Sequence, residues 1–317
     1  MILEGEKSSV ASVTSGVPQG TVLGPLLFLV FINDLPECVS SSIRLFADDA
    51  LLYRPVQSQD DITALHQDLT NLQEWEKKWL MKFNADKCEV LRISNKRSNI
   101  LGATPYSIHG TALRTVDEAK YLGVTIHRNL SWKPHVQNIC NKSNSTLGFL
   151  RRNLRKCSPK IKEQAYKTYV RPTLEYSSTV WDPHTKDLIA QIDMVQRRAA
   201  RFVMADYNQQ SSVTQMLQSL QWQTLYERRA HSKIIMLYRI VHGLVAIPAA
   251  PPYLFHPSSD QTRGHNQQFQ QQHCRVLSYQ HSFFPSTICI WNSLPITVVS
   301  AQSLDILRNR LGPLTLR

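Results

Sequence analysis

The sequence lacks the cysteine arrangements of a stapled or metal-bound fold. Its six cysteines, Cys38, Cys88, Cys140, Cys157, Cys274 and Cys289, are scattered, with no Cys-x-x-Cys pair among them. No secretory leader precedes them, so the expectation is a reducing compartment inside the cell, nucleus and cytoplasm, rather than secretion. His273-Cys274, His281 and Cys289 match no standard zinc spacing. An apolar run long enough for a bilayer is missing as well. Val22 to Ile32 is too short and contains Pro25, so it is expected as a buried helix and not as a membrane span. Acidic residues are also scarce, 24 Asp and Glu against 36 Lys and Arg, for a formal charge of +12. The deficit is local. Residues 1–120 hold twelve basic and fifteen acidic side chains, residues 121–240 nineteen and seven, and residues 241–317 five and two. An excess concentrated in the middle third points to an anionic polymer or surface as partner.

What is present is 317 residues with 42% hydrophobic content, enough for two or three structural units. Within an apolar stretch, residues 45 to 52 read LFADDALL. Two adjacent carboxylates there are costly unless paired, hydrogen-bonded or bound to a cation. The flanking residues, Ile43, Leu45 and Phe46 on one side and Leu51, Leu52 and Tyr53 on the other, read as two strands. Ala47-Asp48-Asp49-Ala50 is then the turn. Ahead of it, Ser15 to Gly20 is a loop by its Gly and Pro content, leading into LGPLLFLVFINDL. Asn33-Asp34-Leu35-Pro36 ends that helix as a local cap or turn.

Apolar residues from Ile62 to Phe83 recur at helical spacing, KCEVLRIS reads as a strand, and IHGTALRTVDEAKYLGVTI as two more strands joined by an acidic turn. The pattern up to residue 127 is a single layer of strands with helices behind it. From Trp132 the period becomes helical, with candidates at 132–157, 160–181, 186–206 and 223–242 and with Pro159, Pro172 and Pro183 as breaks or kinks. The change of period coincides with the change of charge, which places a boundary near 128. Residues 248–275 are rich in Pro and then Gln, as in an exposed connector, and 276–317 regain apolar content as a small C-terminal unit. The fold class is α+β.

Transfer of a phosphoryl or nucleotidyl group uses divalent metals held by carboxylates, with two ions about 3.5 to 4 Å apart clamping the attacking and leaving oxygens. A hairpin carrying Asp-Asp is a platform for magnesium, which takes oxygen ligands and keeps several waters. The ordered succession SGVPQGTVLGPLLFLVFINDLP, LFADDALLY, Asn84-Ala85-Asp86-Lys87-Cys88 and YLGVTI resembles the palm of reverse transcriptases from non-LTR retrotransposons, jockey-like elements in particular. QRRAARFV, LYERRAHSKIIMLYRIVHG and SFFPSTICIWNSLP are similar to the region after that palm, so the resemblance covers nearly the whole chain.

The resemblance implies a domain order of partial palm over 1–127, helical basic thumb-like region over 128–247, connector over 248–275 and small unit over 276–317. It implies RNA-directed DNA polymerisation with an RNA template, a DNA primer and Mg²⁺ or Mn²⁺, and an element-encoded RNA-binding protein as a further partner. Asp48 and Asp49 would be catalytic and metal-binding. Ser15, Gly16, Pro18, Gln19, Gly20, Phe46, Ala47 and Lys87 would meet template and nucleotide. Tyr121, Leu122 and Gly123 would form the primer grip. Arg151, Arg152, Arg155 and Lys156, with Lys160, Lys162, Arg197, Arg198 and Arg201 beside them, read as a surface that follows phosphates. In the family a further aspartate on an earlier strand, together with the fingers, precedes the SGVPQG loop. Fourteen residues precede Ser15 here, with Glu4 and Glu6 but no aspartate. The expectation is a C-terminal part of the polymerase region, without endonuclease, that does not extend a primer alone. The alternative is a remnant that only binds nucleic acid.

Overall fold

The computed structural model of the chain describes residues 2–3, 6–7, 9, 20–94, 105–247, 265–312 and 314. The chain divides into two compact units, Met1–Asp117 and Glu118–Arg317.

In the first unit, β1 (Ile2–Leu3) pairs antiparallel with β2 (Glu6–Lys7). Helix α1 (Gly24–Ile32) carries Pro25 in its first turn, where a missing N–H leaves no helical bond unmade. It is apolar on every side, yet only Phe28, Phe31 and Ile32 join the core. Leu26, Leu27 and Leu29 stay at least half exposed and Val30 is 69% exposed. The expected buried helix is therefore buried along one edge only. After a 3₁₀ turn at Leu35–Cys38, β3 (Ser42–Phe46) and β4 (Asp49–Tyr53) form an antiparallel hairpin. Helix α2 (Gln59–Trp79) follows, opened by a capping box between Ser58 and Asp61 and closed by Leu80 at φ 55°. Its inward stripe, Leu69, Leu72 and Trp75, shares one core with Ile43, Leu45 and Leu52 of the hairpin and with Phe83.

The remaining strands of this unit are β5 (Glu89–Leu91), β6 (Ser107–Ile108), β7 (Thr111–Ala112) and β8 (Arg114–Val116). Pairing is parallel for β5 with β8 and antiparallel for β6 with β7. In place of the expected single layer, the described strands form separate two-stranded pairs. The expected acidic turn is also displaced. Asp117 separates β8 from β9 (Glu118–Tyr121), and the tight turns fall at His109-Gly110 and at Leu122-Gly123, between β9 and β10 (Val124–His127). Both turns need left-handed backbone at two successive residues, φ 52° and 73° in one and 45° and 83° in the other. A glycine adopts that conformation without steric cost and so fixes where the chain reverses.

The second unit is helical after the β9–β10 hairpin. It comprises α3 (Lys133–Asn153), α4 (Pro159–Ala165), α5 (Arg171–Glu175), α6 (Ser178–Trp181), α7 (Lys186–Met204), α8 (Val213–Ser219) and α9 (Leu225–Val241). The short helices α10 (Leu277–Gln280), α11 (Phe283–Asn292), α12 (Ile296–Val299) and α13 (Leu304–Leu311) complete it. Between α4 and α5 the backbone widens to a π-helix over Tyr166–Val170, immediately ahead of Pro172. Proline has no N–H for the helical ladder and clashes with the carbonyl four residues back, and the wider turn accommodates both.

One core gathers Val136, Ile139, Tyr166, Leu174, Trp181, Ile192, Val195 and Phe202 from α3 to α7. A second gathers Phe269, Ile288, Trp291, Val298 and Leu307 on Ile234, Leu237 and Tyr238 of α9. Hairpin β9–β10 packs in this unit. Val124 joins the α3 core, and the Thr125 N–H donates to His135 Nδ1 at 3.2 Å. Part of the expected connector is likewise built in. Phe269 is 3% exposed, and Asn292 brackets it, accepting from its N–H at 2.9 Å and donating to its carbonyl at 2.7 Å. Residues 248–264 of that segment lie outside the described residues.

Candidate metal and nucleic-acid site

The double aspartate sits where a two-residue turn meets a strand. Phe46 pairs with Asp49, so the turn is Ala47-Asp48 and not the expected four residues, with Ala47 at φ 50°. Register then sorts the side chains by face, because neighbours along a strand point to opposite sides. Ile43, Leu45 and Leu52 face the core, whereas Phe46, Asp49, Leu51 and Tyr53 face out. Asp48 and Asp49 are both exposed, and no hydrogen bond or ion pair among the described residues engages either carboxylate.

The base of this hairpin is fastened to α2. Asp68, 1% exposed, accepts from the Ser40 N–H at 2.7 Å and the Ser41 N–H at 2.9 Å. Burial pushes its carboxyl up, but the hydrogen bonds from Ser41 and Ser40 outweigh that and hold it below the usual range. Arg54, one residue past β4, donates to Asp61 at 3.2 Å and to the Ser40 and Ser41 hydroxyls. The N–H groups of Gln57 and Ser58, then Arg54, lower the Asp61 carboxyl to about 2. A hairpin anchored at its base leaves its tip rigid and uncovered, with two oxygen donors free to meet a ligand. Asn33 and Asp34 form the expected turn after α1, but the Asp34 side chain caps no N–H. Its carboxylate accepts from Trp75 Nε1 at 2.8 Å and ties the end of α1 to α2.

Lys87 closes a 3₁₀ turn at Ala85–Lys87 and is exposed. The approach to it is set by Phe83, whose N–H donates to Glu76 at 2.7 Å and whose ring packs near Trp75. No hydrogen bond or ion pair among the described residues joins Lys87 to Asp48 or Asp49. Of the expected nucleotide loop only Gly20 is described, at φ 81°; Ser15, Gly16, Pro18 and Gln19 lie outside the described residues, as does any contact between that loop and the hairpin.

Two adjacent carboxylates suit a magnesium or manganese ion by ligand chemistry but fill only part of its coordination shell. Among the described residues no group of three or more His, Cys, Asp or Glu side chains is placed to hold a metal.

The remaining predicted residues fall in the second unit. Tyr121, Leu122 and Gly123 form the tip of β9–β10, with Tyr121 paired to Val124. Tyr176, which the sequence did not single out, rests on this turn. Its hydroxyl donates to the Leu122 carbonyl at 3.0 Å, and a Cβ on Gly123 would lie 3.0 Å from its ring. Glycine is thus required at 123 both by backbone angle and by space.

Not all of the basic excess is available. Arg229, 0% exposed, and Lys233 share Asp182 at 2.7 and 2.5 Å, and Arg228 pairs with Glu175. Lys162 is buried with its ammonium 5.8 Å from the Phe202 ring centre, which removes it from the expected phosphate-following surface. Arg155 and Lys156 stand in the turn after α3, which ends at Asn153, rather than on the helix. Arg151, Arg152, Arg155, Lys156 and Arg198 are exposed.

Residues 1–126 match the family profile described as "Reverse transcriptase (RNA-dependent DNA polymerase)". The chain is 29% identical over 211 residues to "RNA-directed DNA polymerase from mobile element jockey" of Drosophila melanogaster, covering 63% of this chain and 23% of that protein. It is 31% identical over 201 residues to "Probable RNA-directed DNA polymerase from transposon BS" of the same organism, covering 60% and 22%. A third relative there, "Probable RNA-directed DNA polymerase from transposon X-element", is 28% identical over 205 residues, covering 62% and 22%. The chain spans less than a quarter of the length of these relatives. The similarity to the reverse transcriptase (RNA-dependent DNA polymerase) family is carried by residues 1–126.

Proposed function

We propose that the chain is a part of an RNA-directed DNA polymerase of a non-LTR retrotransposon, working on an RNA template and a DNA primer. The observation that carries this reading is the Asp48-Asp49 pair, exposed and unpaired on a hairpin whose base is fixed to α2 through Asp68 and Asp61. A divalent metal bound there would stabilise charge on the transferring phosphate oxygens. In that reading Asp48 and Asp49 supply carboxylate oxygens, and Phe46 and Ala47 present an apolar edge beside them. The Lys87 ammonium offers a charge for a triphosphate. Leu122 and Gly123, held by Tyr176, support the primer. The exposed cations Arg151, Arg152, Arg155 and Lys156 follow the backbone phosphates.

The isolated chain does not extend a primer. Two metal ions need carboxylates from more than one strand, and Asp48 and Asp49 both stand on one hairpin. Positioning and metal electrostatics carry most of the acceleration in this chemistry, so binding alone does not restore it. Primer extension with purified chain, RNA template, Mg²⁺ or Mn²⁺ and labelled nucleotides tests this. Incorporation that disappears in Asp48→Ala would overturn it.

The second reading is a protein that only binds nucleic acid, and the charge of residues 121–240 favours it. Here binding persists in Asp48→Ala and Asp49→Ala, and supplying the rest of the polymerase restores no synthesis. Recovery of synthesis on supplementation, lost again in Asp48→Ala, selects the first reading.

A further inference from the structure

Helices α3 and α7 pack side by side and leave a groove of about 300 Å³ between them, lined by Asn144, Leu147, Gly148, Arg151, Arg198, Arg201, Phe202 and Tyr207. Three of the eight side chains are guanidinium groups, and none is a carboxylate. Each arginine has a different job. Arg201 donates to the carbonyls of Asp206, Asn208 and Ser211 at 3.4, 2.7 and 3.3 Å, and so holds the loop that carries Tyr207. Arg198 is steered by one hydrogen bond, to Asn144 Oδ1 at 3.0 Å, and its other N–H groups have no partner among the described residues. Arg151 lies 5.8 Å from the centre of the Tyr207 ring and has no ion pair among the described residues. Two oriented, uncompensated guanidinium groups over an aromatic wall match the geometry of a phosphate oxygen set.

Gly148 supplies the second observation. It lies inside α3, where glycine costs roughly 0.5–1 kcal/mol relative to alanine. Its own fold gives no reason for that cost. Its φ is not left-handed, and a Cβ would meet only Arg152 Nη1, at an ordinary 3.6 Å. Gly148 contributes bare backbone to the groove lining, on the same helix as Arg151.

We propose that this groove seats one backbone phosphate of a nucleic-acid strand, bound by Arg151 and Arg198, with Gly148 as floor and Tyr207 as wall. The proposal rests on the nucleic-acid-binding part of the reading above and assigns it to a point. It separates a built site from a diffuse basic field, since Arg152, Arg155 and Lys156 contribute charge outside the groove. Phosphate neutralisation releases counterions, so each contact adds about 0.9 to the log-log salt slope on a B-form duplex and about 0.7 on a single strand.

The experiment is a salt titration of the full chain binding a fluorescent RNA–DNA hybrid, compared for wild type, Arg151→Gln with Arg198→Gln, Gly148→Leu and Gly148→Ala. Thermal melting serves as the folding control. Gly148→Leu is expected to melt no lower than wild type and to bind roughly tenfold more weakly. Its salt slope should be shallower by about one contact although no charge is removed. The arginine pair should show the same change of slope, and Gly148→Ala a smaller loss of affinity. Wild-type affinity and slope in a folded Gly148→Leu, with loss only in the arginine variant, overturn the groove while leaving the nucleic-acid reading intact. Should Gly148→Leu fail to fold, a folded Gly148→Ala with wild-type affinity and slope overturns the groove in its place. No binding by the wild type at any salt overturns both.

Discussion

Met1–Asp117 and Glu118–Arg317 differ in how completely each covers its own apolar surface. In the second unit Trp181, Leu174, Ile192, Val195, Ala199 and Val203 are fully buried, and α9 closes one core with Leu225 and another with Ile234, Leu237 and Tyr238. The first unit has a core of five buried residues around Trp75 and leaves α1 bare along Leu26, Leu27, Leu29 and Val30. It relies instead on polar ties between distant segments: Asp68 to Ser40 and Ser41, Asp34 to Trp75, Glu76 to His109. A helix that is hydrophobic all round is normally enclosed. Where only one edge is enclosed, order depends on fixed points rather than on area, and the candidate metal site is built on one of those points.

The sharpest test of this contrast is in the larger core. Trp181→Ala should cost about 3–5 kcal/mol, read from the urea midpoint of the second unit's helical signal. A loss below about 1 kcal/mol would mean that this core is not the continuous body described. In the first unit the polar ties should matter most. Asp68→Ala strands the buried Ser41 N–H and releases the Ser40 N–H, and should cost about 1–3 kcal/mol, seen as faster amide hydrogen exchange at Ser40 and Ser41. Unchanged exchange would remove the anchor from the hairpin.

Acid should separate the units. Burial holds His135 down at about 4, below its ordinary 6.5, so the unfolded chain takes up this proton first. Stability of the second unit is then full above pH 6.5 and falls as pH drops toward 4. Asp61 is lowered to about 2 from 3.8, and Asp68 is lowered as well, so their contribution is present above pH 3.8 and is lost toward pH 2. Chemical-shift titration of the two units should show two windows in that order, and a single shared window would dissolve the distinction. The smallest effect belongs to α1. Leu29→Ser with Val30→Ser removes exposed apolar groups and should change stability by no more than about 0.5 kcal/mol, while lowering light scattering of concentrated protein. A larger loss would show these side chains to be packed.

The long helices were legible because their apolar spacing spans several turns. The ranges expected for 132–157, 186–206 and 223–242 lie close to α3, α7 and α9. The stretch 160–181, read as helical with a break or kink at Pro172, is α4, a π-helix, α5 and α6; the further break at Tyr176 is one that apolar period alone does not reveal. The LFADDALL hairpin was legible from β-forming residues on both sides of a polar tip, whereas its two-residue turn depended on the pairing of Phe46 with Asp49. Tyr207, Asn144 and Tyr176 were not legible as site residues, because they meet their partners across 54 or more positions or from a loop. Gly148 was the one available signal, a glycine without need in a helix.

By itself the sequence determined the aspartate pair, the confinement of positive charge to residues 121–240, and the helical period that follows Trp132. These are local properties, fixed by residue type and short-range spacing. Tertiary structure decided which cations remain free. Arg228 is paired with Glu175, Arg229 and Lys233 share Asp182, and Lys162 is buried on Phe202, while Arg151 and Arg198 face an open groove. A charge becomes available or spent according to the groups that folding brings within a few ångströms, and distance along the chain does not record that.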